Sequence, residues 1–187
     1  MYDIEPFYNW RDLYTSEEDQ RSPFYGKENS DFEFSNKIYN YVIHPQWDSF
    51  GSSTLYIKVL YTDYLKQFTI FELLGEWNDA ISNDIMFLKK EVIDPMQVNG
   101  INKFMVIGEN VLNFHGSDDC YYEEWYSDII SSGGWITLIN FREHVLVEMN
   151  DYNINQHCNL QFAGEDVNWR KHEPKDILTI LDKQLLT

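Results

Sequence analysis

Seven residues whose side chains move protons or bind cations fall in one short stretch: Glu109, His115, Asp118, Asp119, Cys120, Glu123 and Glu124. Asp119 and Glu123 stand four apart, on one face of a helix, and His115 approaches them from the preceding loop. Carboxylates with an imidazole hold a divalent cation or activate water, because the metal lowers the pKa of a bound water and the acids balance its charge. His115, Asp118, Asp119 and Glu123 are therefore the candidate metal ligands of a metal-assisted hydrolase. The competing reading is structural: carboxylates at a helix start are favourable partners for the exposed amides of its first turn. The spacing follows no specific metal motif.

The same stretch carries the strongest charge asymmetry in the chain. Between Phe104 and Phe141 there is no Lys or Arg, while Glu109, Asp118, Asp119, Glu123, Glu124 and Asp128 are acidic. Tyr121, Tyr122, Trp125 and Tyr126 are interleaved with them. Interfaces favour Tyr and Trp, and charge steers encounter, so this helix reads as an acidic, aromatic face for a basic protein partner or for self-association. Its candidate contact residues are Tyr121, Tyr122, Glu124, Trp125 and Tyr126. Against it stands an ordinary amphipathic helix, with the aromatics in the core and the acids in water. His44, His144, His157 and His172 lack ligand spacing, Gly108 and Gly133-Gly134 lack the spacing and lysine of a phosphate loop, and Ser52 and Ser53 lack a nucleophile elbow. No cofactor is expected, and a divalent metal belongs to the hydrolase reading alone.

The whole chain shares this bias. Among 187 residues, 14 Lys and Arg face 31 Asp and Glu, for a formal net charge of −17. Such a surface repels phosphate backbones and anionic headgroups, which argues against nucleic acid and membrane partners. The 12 Phe, 13 Tyr and 6 Trp, within a hydrophobic share of 43%, suffice to build a core and exclude wholesale disorder. Asp3 and Glu5 interrupt any apolar signal core, and no apolar run reaches the roughly 18 to 20 residues that span a bilayer, so the chain reads as cytoplasmic. Cys120 and Cys158 read as free thiols.

The elements that must position these residues follow from periodicity. Residues 1–31 form an irregular arm whose aromatics, Phe7, Trp10 and Phe24 among them, are too many for a free tail. Residues 32–187 form a single α/β domain, a mixed sheet of about four or five strands with helices packed on it. Phe32 and Phe34 open an edge strand, and Ile38 to Ile43 is a strand ended by His44-Pro45. Thr54 to Tyr61 and Gln67 to Leu74 make an antiparallel pair. Ile81, Ile85, Leu88, Val92 and Met96 form the buried stripe of one helix, with Lys89 and Lys90 suiting its dipole. Lys103 to Ile107 is a central parallel strand ended at Gly108, followed by a helix from Asp118 to Ile130, a strand from Trp135 to Ile139, and a helix from Arg142 to Met149. Leu160 to Ala163 suits a short strand, and Pro174 begins a last helix ending near residue 186.

Residues 68–149 resemble the STAS, or anti-sigma-factor-antagonist, fold. In that fold a strand ends in a glycine-acid turn, here Gly75-Glu76-Trp77-Asn78, and helix, strand, helix, strand and helix follow. Phe104 to Ile107 takes the place of its central strand. The resemblance implies a regulatory module that binds proteins without catalysis, and places Ser117 where members bear a phosphoacceptor. Here His115-Gly116-Ser117-Asp118-Asp119 stands in place of the usual Asp-Ser-Ser-Gly type of motif. The leading expectation is a non-enzymatic interaction module. The rivals are the metal-assisted hydrolase and a structural domain without ligand.

Overall fold

The computed structural model describes residues 3–160 and 168–185. A short antiparallel pair, β1 (Lys37–Ile38) and β2 (Tyr41–Val42), precedes the main sheet. That sheet is mixed and five-stranded, with β3 (Leu55–Asp63), β4 (Phe68–Asn78), β5 (Lys103–His115), β6 (Trp135–Ile139) and β7 (Asn159–Leu160) side by side in chain order. β3 and β4 are the expected antiparallel hairpin, and every later neighbour pair is parallel.

Parallel neighbours require crossovers, and right-handed crossovers that always step the same way put their helices on one face. The first crossover holds α1 (Asp79–Ser82), α2 (Asp84–Leu88), a π turn at Lys89–Ile93, and α3 (Asp94–Val98). The next two hold α4 (Cys120–Ile130) and α5 (Glu143–Asp151). Leu88, Trp125 and Val145, one from each crossover, share a core with Phe71, Phe104 and Ile136 of the sheet. This topology leaves the opposite face bare, and the chain ends cover it. Trp10 of the arm, Trp169, and Ile177 and Leu181 of α6 (Pro174–Leu185) pack on Phe68, Ile70, Met105 and Ile107. Trp10 and Trp169 meet edge to face with ring centroids 5.4 Å apart. The aromatic arm thus lies across the sheet of its own chain, where its composition left packing on the domain or on a second subunit open.

Four expectations change. The helix expected after Asn78 is broken: Asn83 takes left-handed geometry (φ 53°), which rotates the pattern and leaves Ile81 87% exposed instead of buried. The π turn then widens the helix just before Pro95, whose ring has no amide hydrogen to donate and would crowd a regular turn. β5 does not stop at Gly108 but continues to His115, because β4 pairs with it as far as Asn78; the glycine makes room for the Phe141 ring, which a Cβ there would meet at 2.3 Å. Ile38 to Ile43 is a tight pair and not one strand, and Phe32 stands 89% exposed outside any strand. Of the strand expected at Leu160 to Ala163, residues 161–163 lie outside the described residues, as does residue 186 of the last helix. β3 is buried along nearly its whole length, with Asp48 bonded in both directions to Ile57 on its outer side. No helix among the described residues is long and apolar enough to cross a membrane.

Candidate functional site

β4 and β5 run on past the end of β6, whose last pair with β5 is Ile139 with Ile107. Their carboxyl ends therefore project together, with Asn78 opposite His115. The chain leaves β4 into α1 and leaves β5 into the loop before α4, and the two exits flank a cleft of about 250 Å³. Such crevices at the carboxyl ends of parallel strands are where α/β sheets bind ligands. Asp79, Ile81, Asn83 and Ile85 line one side, and Ser117, Asp118, Cys120 and Tyr121 the other.

The first wall is held by buried polar contacts. The Asn78 side chain caps α1 by accepting the Ile81 amide at 2.9 Å. Asp79, 4% exposed, accepts from Trp77 Nε1 at 2.9 Å, the Ile85 amide at 2.8 Å and the Tyr122 hydroxyl at 2.7 Å. Burial raises its carboxyl to about 6 in spite of these three donors. Tyr122 stacks on Trp77 with centroids 6.1 Å apart, and burial beside Asp79 drives its hydroxyl well above the ordinary tyrosine range. The Asp79–Tyr122 bond ties α1 to α4 beneath the cleft floor. Asp84, also buried, accepts the Asn78 amide at 2.8 Å.

At the second wall Ser117, Asp118 and Cys120 are exposed. Asp118 is held below the ordinary carboxylate range by hydrogen bonding from the Cys120 thiol and amide, and it raises that thiol in return. Cys120 and Cys158 are both free thiols, the second buried. Asp119 turns from the cleft to His157, whose Nε2 lies 3.0 Å from its Oδ2.

The residues predicted to share one cation site go separate ways. Glu109 crosses to the arm side of the sheet, where Arg170 grips it at 2.6 and 3.0 Å and Trp169 and Asn140 donate to it at 2.8 Å. His115 ends β5 and Glu123 faces solvent on α4. Among the described residues, one trio of acids comes close enough to share a metal, Asp94, Glu124 and Asp128, and His115, Asp118, Asp119 and Glu123 form no such group. An amine already occupies the trio: Lys89 Nζ is 2.9 Å from Asp128 and 3.3 Å from Glu124, and it also contacts Asp94. Lys90 adds a second ammonium 2.8 Å from Glu124. Burial pulls the Lys89 amine down, and Asp94 and Asp128 outweigh it and hold it above the ordinary lysine range.

The predicted contact face of α4 is likewise divided. Tyr122 and Trp125 are fully buried and leave the set of contact residues, because the helical period turns them to the sheet. Glu124 is engaged by Lys89 and Lys90. Tyr126 is half-buried near His157, and Tyr121 is half-buried with its ring at the cleft.

No protein-family model matches the chain, and no curated protein matches it significantly. The function is therefore read from the cleft itself. Asp118, Cys120 and Tyr121 belong to the stretch singled out by sequence. Asp79, Ile81 and Asn83 escape it, because their approach to α4 depends on the long-range pairing of β4 with β5. The one local signal for them is the Asn78-Asp79 start of a helix.

Proposed function

We propose that the protein is a non-enzymatic binding module with a STAS-like core, which takes a basic protein segment at the cleft between α1 and α4. The observation that carries this reading is the composition of the cleft: Asp118 is exposed, Ile81 is 87% exposed, Tyr121 stands beside them, and neither Lys nor Arg is in the lining. A Lys or Arg side chain lays an apolar stem along Ile81 and Tyr121 and brings its charge to Asp118. The low proton affinity of Asp118 keeps it ionised at neutral pH. The order of strands and crossover helices supports the STAS-like part, with Ser117 exposed at the cleft. Two free thiols suit a cytoplasmic setting. Because β3 is buried, the cleft is favoured over a sheet edge as the contact surface.

The test is fluorescence anisotropy with labelled Lys- and Arg-rich peptides against acidic peptides of equal length. Basic peptides bind and are displaced by salt, and D118N, Y121A and I81S each weaken binding by roughly fivefold, about 1 kcal/mol. Failure of every basic peptide, or variants that bind like the wild type, overturns the reading. Sedimentation of the free protein separates self-association from capture of a partner.

A further inference from the structure

Glu72 stands midway along β4 on the face the arm covers, and it is 2% exposed. Its hydrogen bond comes from the arm itself, the Phe7 amide donating to Oε2 at 2.9 Å. The cations around it are shared with other acids or turned to them. Arg170, from the turn at Trp169–Lys171, stays 3.8 Å from Oε1 while it grips Glu109 in a two-pronged pair. Lys58, its partner across the β3 ladder, directs Nζ to Asp48 and Glu17 at 3.4 Å. Arg11 of the arm turns to Gln46 and Glu5. Glu109 of β5 adds a second negative charge.

An ionised carboxylate buried with one amide donor and a guanidinium that it shares with Glu109 at 3.8 Å is costly, whereas the protonated acid is far cheaper to bury. We propose that Glu72 is a proton-operated latch on the N-terminal arm: protonated, it holds the segment around Phe7 and Trp10 against the sheet, and ionised, it lets this strap lift from the face beneath.

The sign follows from burial. In the docked state burial raises Glu72 from its ordinary 4.5 to about 7, with the Phe7 amide and Arg170 opposing and Glu109 assisting. A lifted arm returns Glu72 to water and to its ordinary value. Docking is therefore strongest below the ordinary carboxylate range and weakens as pH rises through about 7, by roughly ten- to thirtyfold between about pH 5.5 and pH 8.

Hydrogen exchange of the full chain, read by mass spectrometry over residues 5–16 and corrected for the intrinsic pH dependence of exchange, tests this. Wild-type arm protection falls by about that factor from the lower to the higher pH. E72Q keeps an acceptor for the Phe7 amide without the charge, and its arm protection becomes independent of pH. D48N, at the other buried acid near the arm, leaves the dependence in place. R170A removes the guanidinium 3.8 Å from Oε1 and makes ionised Glu72 harder to bury, so arm protection falls more steeply between the two pH values; because Arg170 also lies over the Phe7 and Trp169 rings, the steepness and not the level of protection is the readout. Equal wild-type protection at both pH values, an unchanged dependence in E72Q or R170A, or its loss in D48N overturns the latch.

Discussion

Lys89 Nζ lies 2.9 Å from Asp128 Oδ2, joining the π turn of the first crossover to α4 through an amine that is itself 1% exposed. The positive charge missing between Phe104 and Phe141 is thus supplied to α4 by the chain itself. This moves the open acidic surface from the flank of the helix to the cleft at its start.

The cage around Lys89 is unequal in burial, and its variants should be unequal in cost. In K89M the three carboxylates left behind still reach water, and urea denaturation should show a loss of about 1 kcal/mol. The triple variant D94N/E124Q/D128N strands a buried ammonium and should lose about 3 to 5 kcal/mol. Equal losses would contradict the burial assigned to Lys89.

Trp125 and Tyr121 share a helix but differ in role. Trp125 meets Phe104 edge to face with centroids 5.1 Å apart, deep in the core. W125A should cost about 3 to 5 kcal/mol in chemical denaturation. Y121A, at a half-buried ring on the edge of the same core, should cost about half as much or less.

Y122F keeps the ring on Trp77 and removes the hydroxyl that donates to Asp79. The loss should be about 1 to 3 kcal/mol. Asp79 is raised from 3.8 to about 6 in the folded chain, so the fold binds its proton more tightly than the unfolded chain does. Its contribution is fully present below the ordinary aspartate range and is lost as pH rises through about 6. D79N should flatten that part of the stability profile. Y122F should shift it to higher pH, since the Tyr122 bond favours the ionised form.

G108A places a methyl group on the Phe141 ring inside β5 and should destabilise by about 1 to 3 kcal/mol. Pairing it with F141L should recover part of the loss. If G108A is neutral, the close approach of ring and strand is wrong.

Where a residue's neighbours are close in sequence, the pattern already showed its place. The β3–β4 pair, α4, β6 and α6 follow from two- and 3.6-residue periods, whereas the arm's composition shows that it packs but not on which surface. What the pattern missed depends on contacts far along the chain. Gly108 reads as a turn until β4 is seen to pair with β5 beyond it, and Lys89 reads as a dipole partner until α4 brings Asp128 to it. Asn83 broke the expected helix through its own left-handed backbone, which a residue type suggests but does not dictate. The site was half legible for the same reason: Asp118 and Tyr121 stand in a conspicuous acidic-aromatic stretch, while Asp79 reaches Tyr122 from 43 residues away.

Binding at the cleft is tested most directly by titrating isotope-labelled protein with a Lys- and Arg-rich peptide and following backbone amide shifts. Saturable shifts are expected at Asp79–Ile85 and Ser117–Tyr121, lost in D118N. Shifts centred on Glu124 and Asp128, or no saturable shifts with any basic peptide, would contradict binding at the cleft.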